Sequence, residues 1–276
     1  MSSWRFTDID IESRVTIPRL PGVVPRILAL LDAGAPVRQV APLIERDPAL
    51  MIGVLQTCSS ALYKCGSVGS IAQAVLLLGF RQVRSLVVVA AAERLYSELS
   101  SEERAVWQHH REVAALAVAL AERFAPRTRD DLAIAAQLHD LGQIVLGRSD
   151  DLYWPILAGI DRRARLAVEV ERYTFSHADL GALLAERWQL PAAVQSILFY
   201  HHDLDGARRH EPALLPSLAC LSLADHFVHE RHDAERRDPA ERDALVAPAM
   251  EVLGLERERL DELEGIAAET GAAAAA

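Results

Sequence analysis

All ten histidines of this 276-residue chain lie between His109 and His232, and the first 108 residues contain none. Within that stretch His109, His139-Asp140, His177, His201-His202 and Asp225 form an ordered set of imidazoles and carboxylates. These are the donors that borderline divalent metals prefer, and two adjacent metals need about this many. For the set to act together, the fold must gather five separate segments around one point. The sequence therefore points to a metal-site scaffold in its second half.

The composition predicts that helices do the gathering. Aromatics make up only 5% of the residues, 51% are hydrophobic, and Ala and Leu are abundant, a balance that favours helix over strand. No strand pair and no internal repeat stands out, so the expected fold class is all-α. Residues 1–98 are expected to form a first helical subdomain and 99–267 a second. The Ala-rich stretch 268–276 is expected to be a disordered tail.

Local signals set the expected elements. Val23 to Leu31 reads as an amphipathic helix ended near Gly34, and Pro36 to Arg46 as a second. Asp47-Pro48 then has the form of a cap followed by proline at the first helical position. Gly66 and Gly69 mark a loop, Ser70 caps the next helix, and Gly79 is expected to end it. Val87-Val88-Val89 alone suggests a strand, but its flanks carry helix formers and a buried helix is predicted. Ser100 with Glu103 has the form of a capping box that opens a helix of about Glu102 to Phe124, carrying His109. A further helix is expected to start at Asp131, pass through His139-Asp140 and stop at Gly142. His177 begins another, His201-His202 end one begun near Ala192, and Pro216 to His229 carries Asp225. A single closing helix is expected over Asp243 to Leu263.

The formal net charge of −10 works against a broad electrostatic grip on nucleic acid or an anionic membrane. The small basic cluster Arg162-Arg163-Arg165 is expected to be a solvated helix face. Cys58, Cys65 and Cys220 are odd in number with no C-x-x-C spacing, which predicts buried thiols in a reducing compartment. The segment Met1 to Asp8 lacks the basic-then-apolar layout of a secretory signal, and apolar runs such as Leu86 to Ala92 are short of bilayer length. A cytoplasmic location is therefore expected.

Each candidate ligand has an ordinary explanation by itself. His109 could be a surface histidine, and neighbouring His110 competes with it for any role. His201-His202 could be a polar helix end, and Asp225 an exposed carboxylate. Together they divide sensibly. His139 and Asp140 face one cavity edge, Asp140 bridges two ions, Asp225 and His109 complete the first, and His177, His201 and His202 serve the second. Such a pair suits metal-assisted phosphoester or nucleotide hydrolysis.

The pattern His109-x-x-x-Val113-Ala114, Leu138-His139-Asp140-Leu141-Gly142 and Asp225 resembles the HD superfamily of metal-dependent phosphohydrolases. His177 and His201-His202 resemble the two-metal HD-GYP branch, which hydrolyses cyclic di-GMP. The chain is closer still to HDOD proteins, the HD-related output domains of bacterial signalling. Leu20-Pro21-Gly22, Ile44 to Leu50, Ser59 to Tyr63, Ser70 to Gly79, Trp107-Gln108-His109, His177 to Gly181 and Trp188 to Pro191 all look like HDOD segments. The resemblance implies an N-terminal helical bundle packed on an HD-domain-like bundle. It also implies one or two divalent transition-metal ions (iron, manganese, zinc or nickel) and a signalling protein as partner, with a nucleotide as a second candidate ligand. Two departures bear on activity. Gln143 stands where HD-GYP enzymes carry a lysine, and Ala207-Arg208-Arg209 follows where their Gly-Tyr-Pro signature belongs. Ser59 also replaces the asparagine usual in HDOD domains. The expected function is a non-catalytic regulatory or interaction module that retains a metal site. The alternative is a phosphodiesterase of HD-GYP type in which Asp140 is catalytic.

Overall fold

A computed structural model of the chain describes residues 11, 14–20, 22–59, 66–95, 98–160, 162–232 and 239–275. It is all-α, with no strand among the described residues. Two compact units are formed, one by Pro18–Leu99 and the other by Met1–Ile17 with Ser100–Ala276.

The first unit holds α1 (Val24–Asp32), α2 (Val37–Glu45), α3 (Pro48–Ser59) and α4 (Ile71–Ala92). Gly34, at φ 63°, turns the chain out of α1, in the left-handed region that glycine enters at little cost. Asp47 caps α3 by accepting from the backbone N–H of Leu50 at 3.1 Å, while Arg94 donates to both of its carboxylate oxygens at 2.7 Å. Ser70 caps α4 by accepting from the N–H of Gln73. Gly79 does not end the helix. At φ 77° and ψ 167° it kinks the chain, which re-enters helix at once. Every residue from Gln82 to Ala92 is buried, so the valine run is core helix. By length and composition α4 is apolar enough to cross a bilayer, but 67% of its most apolar window is buried inside the protein. The Ser59 hydroxyl accepts from the N–H of Val68 at 3.1 Å, which ties the end of α3 to the strand-free loop before α4. Cys65 and most of the Ser59 to Tyr63 motif lie outside the described residues.

The second unit holds α5 (Ser101–Phe124), α6 (Arg129–Ala136), α7 (Leu141–Ser149), α8 (Tyr153–Leu157), α9 (Arg162–Tyr173) and α10 (His177–Arg187). It continues with α11 (Ala192–Tyr200), α12 (Leu204–His210), α13 (Leu215–His232), α14 (Pro239–Val252) and α15 (Leu260–Ala275). α5 packs along α13 and against α6, and α10 packs against α11 and α7. The capping box at the head of α5 is complete, and buried Glu103 also takes a salt bridge from Arg148 of α7, with Nη2 at 2.6 Å. α5 is thereby tied to the helix that follows His139-Asp140.

Three expectations are corrected. His139 and Asp140 occupy a turn between α6 and α7 and are not helical. Gly142 lies in the first turn of α7 and stops nothing. Its lack of a side chain lets α7 press against the backbone of His177, where a Cβ would come within 2.8 Å of the His177 carbonyl carbon. The closing helix is two helices, because Gly254 at φ 64° ends α14, with Leu255 N–H donating to the Met250 carbonyl. α15 then runs to Ala275, so the stretch expected to be a disordered tail is largely helical, in keeping with the helix preference of alanine.

Candidate metal centre

The five segments converge where helix ends meet. His109 comes from the third turn of α5, His139-Asp140 from the α6–α7 turn, and His177 opens α10. His201 caps the C-terminus of α11 with His202 after it, and Asp225 projects from the middle of α13. Each terminus is held by its own chemistry. Ser176 and Asp179 close a capping box at the head of α10, and Asp203 caps α12 just beyond the histidine pair.

All seven sequence-predicted residues come together, in two groups. One contains His109, His139 and Asp225, and the other Asp140, His177, His201 and His202. Within each group one donor atom per residue lies within 4.8 Å of the others. Asp140 joins the groups. Its Oδ2 faces the first, 3.4 Å from His139 Nε2 and 4.0 Å from His109 Nε2. Its Oδ1 faces the second, 3.1 Å from His177 Nε2 and 3.5 Å from His201 Nε2. Across the first group His109 Nε2 meets Asp225 Oδ1 at 3.0 Å, and in the second the Nε2 atoms of His177 and His202 are 3.1 Å apart.

Three imidazoles are aimed from behind. His139 Nδ1 lies 3.0 Å from the carbonyl oxygen of Ala136, and His201 Nδ1 lies 2.6 Å from that of Leu198. Each carbonyl requires an N–H at Nδ1, which leaves Nε2 as the ring's lone-pair donor on the inner side. His177 is held more strongly. Its Nδ1 and backbone N–H both meet Glu169 Oε2, at 2.7 and 2.8 Å, and Tyr153 donates its hydroxyl to Glu169 Oε1 at 2.7 Å. Glu169 and Tyr153 were not legible as site residues in the sequence. Nothing in the charged helix Arg162–Tyr173 marks one acid as buried, and only the 1% exposure of Glu169 reveals it. The ambiguity between His109 and His110 is settled by packing. His110 is buried behind the site, its ring edge-on to Trp107 at 5.1 Å and 4.9 Å from the His139 ring, and burial pushes its pKa well down.

The electrostatics follow from this crowding. Burial alone would raise the carboxyl of Asp140, yet His139, His177 and His201 outweigh it and hold it well below the usual carboxylate range. Burial alone would lower His177, but Glu169 and Asp140 raise it to about 10. Burial keeps His201 below the ordinary imidazole value. The donor set fits a divalent transition metal. It is made of imidazoles and carboxylates, and one buried ring nitrogen turned into the cluster, His201 Nε2, has no hydrogen-bond partner. A buried polar atom left so is costly, and a cation at this point would satisfy it.

A cavity of about 740 Å³ opens beside the cluster, with His109, Asp140, His177 and Asp225 on one wall and Gln143 among the other lining residues. Trp154 and Arg165 also line it. For Arg165 this corrects the expected solvated helix face; the side chains of Arg162 and Arg163 lie outside the described residues. His229 approaches Asp225 Oδ1 at 3.4 Å from one turn further along α13.

Residues 17–204 match the HDOD domain family. The chain belongs to that family. Among solved structures, an HDOD domain protein of unknown function from Geobacter sulfurreducens is 25% identical, with a TM-score of 0.63 over 95% of each chain. A candidate phosphohydrolase from Shewanella amazonensis SB2B shares the fold of this HDOD protein at 22% identity, with a TM-score of 0.67 over 95% of this chain and 91% of that one. A candidate metal-dependent phosphohydrolase from the same organism does so at 20% identity and a TM-score of 0.64, covering 94% of each. An uncharacterized protein of Treponema pallidum (strain Nichols) is 26% identical over 218 residues, which are 77% of this chain and 42% of that relative. The HDOD chain thus spans less than half the length of the curated relative it matches.

Proposed function

We propose that this HDOD protein is a cytoplasmic signalling protein whose second unit is a metal-dependent phosphohydrolase acting on a phosphate ester. One observation carries the reading: seven donors converge in two groups that share Asp140. His109, His139 and Asp225 would hold one ion, and His177, His201 and His202 a second, with one Asp140 oxygen turned to each. A bound divalent metal supplies Lewis acidity toward a phosphoryl oxygen and an acidified water at neutral pH. Asp140, kept ionised by its neighbours, would be the carboxylate ligand common to both ions and would help position the acidified water. Glu169 and the carbonyls of Ala136 and Leu198 keep the imidazoles aimed, so little reorganisation is needed when substrate arrives. The fold shared with the two Shewanella proteins agrees with this reading.

A second reading is a metal-holding interaction module that binds a signalling protein and turns nothing over. Gln143, in place of a lysine, and the missing Gly-Tyr-Pro signature favour it. Elemental analysis of protein purified without chelator, paired with hydrolysis of bis(p-nitrophenyl) phosphate, separates the two. The expected result is about two equivalents of transition metal and metal-dependent hydrolysis, both lost in Asp140→Ala. Metal without hydrolysis would support the interaction module, and no metal after reconstitution would overturn both.

A further inference from the structure

We infer that the cavity beside the metal centre takes an organic phosphate whose oxygens are held by Arg165. The inference rests on the phosphohydrolase reading for the ligand's place beside the metals, but its evidence comes from different residues. Among the described lining residues the carboxylates are Glu102, Asp140 and Asp225, and Arg165 is the one guanidinium. Its Nε is shut off from solvent and has no hydrogen-bond partner. The natural partner on the same helix face would be Glu169, one turn on. That carboxylate is occupied by Tyr153 and His177, and no carboxylate pairs with Arg165 among the described residues. An arginine carrying an unmet donor beside a cluster of metal-type ligands has the complement of an oxyanion.

The position also answers the departure at residue 143. Gln143 lines the same cavity, so the cation absent at position 143 is supplied from α9. A bare phosphate would leave most of about 740 Å³ empty. Trp154, Leu157 and Leu166 make an apolar wall suited to the organic part of the ligand.

Two probes that the protein does not turn over test this: inorganic phosphate and phenylphosphonate, titrated calorimetrically into the metal-loaded full chain. Phenylphosphonate is expected to bind more tightly than phosphate. Arg165→Gln is expected to weaken both by about 10- to 100-fold at unchanged metal content, with Arg165→Lys recovering part of the loss. Equal affinity in wild type and Arg165→Gln, or no binding of either probe to wild type, would overturn the inference. Arg165-dependent phosphonate binding by protein that holds no metal would overturn the hydrolase reading and leave this one standing.

Discussion

Glu169 does the work of an eighth site residue without facing the cluster. It is a buried carboxylate whose two oxygens are filled by Tyr153 and His177, so its charge is spent on fixing one imidazole. Burial would raise its carboxyl, and His177 and Tyr153 keep it lowered instead. Glu169→Gln keeps the volume and removes the charge. Such changes behind a ligand histidine cost about 10- to 100-fold in metal affinity. The expected outcome is selective weakening of the His177 group, with the His109, His139 and Asp225 group unaffected, read as a split in two-step metal titrations. Uniform weakening of both steps would show that Glu169 acts on the fold as a whole. The candidate ligands themselves were legible as residues because histidine is rare enough to count. Glu169 was not, since a glutamate in a charged helix looks the same whether it is buried or solvated.

At the scale of elements, the site is built from helix ends, and its tightest joint is α7 against the start of α10. Gly142 permits that approach. A Cβ there collides with the carbonyl oxygen of His177, and backbone on both sides leaves nothing flexible to give way. Gly142→Ala is expected to destabilise the protein by about 1–3 kcal/mol, the usual cost of overpacking. Because the strain falls on His177, it should also reduce metal content. Thermal unfolding together with elemental analysis checks both, and an alanine variant of wild-type stability with full metal would refute this role. The capping box at Ser100-Glu103 was readable, since its residues lie three apart and its bonds are local. The turn carrying His139-Asp140 was not. Its flanks, Ala133 to Ala136 and Leu141 to Leu146, have helical composition, and only packing decides where the axis breaks.

At the scale of the whole molecule, a metal held by the five segments would bind the folded chain and not the unfolded one, and so would stabilise the fold by mass action. That stabilisation depends on pH through His177. With its folded pKa raised to about 10, the metal-free chain draws stability from protonated His177. That contribution is full below the unfolded value of about 6.5 and is lost as pH rises toward 10. The metal must displace the same proton, which costs about 1.4 kcal/mol for each pH unit below 10. Both effects have one sign: the gain in melting temperature on adding metal should be larger at pH 8 than at pH 6. Melting curves with metal and with chelator at the two pH values test it, and a gain that shrinks as pH rises would contradict the protonation state assigned to His177.

Helix type, several caps and the seven candidate donors could be read from the sequence, because spacing, propensity and residue chemistry are local properties of the chain. The all-α class and the HDOD family are legible for the same reason. Tertiary structure alone decided that Asp140 turns one oxygen to each group, that Glu169 faces inward while its helix neighbours do not, and that Arg165 reaches the cavity. Those are matters of where a side chain points after helices distant in sequence have packed, and burial, not residue type, sets them.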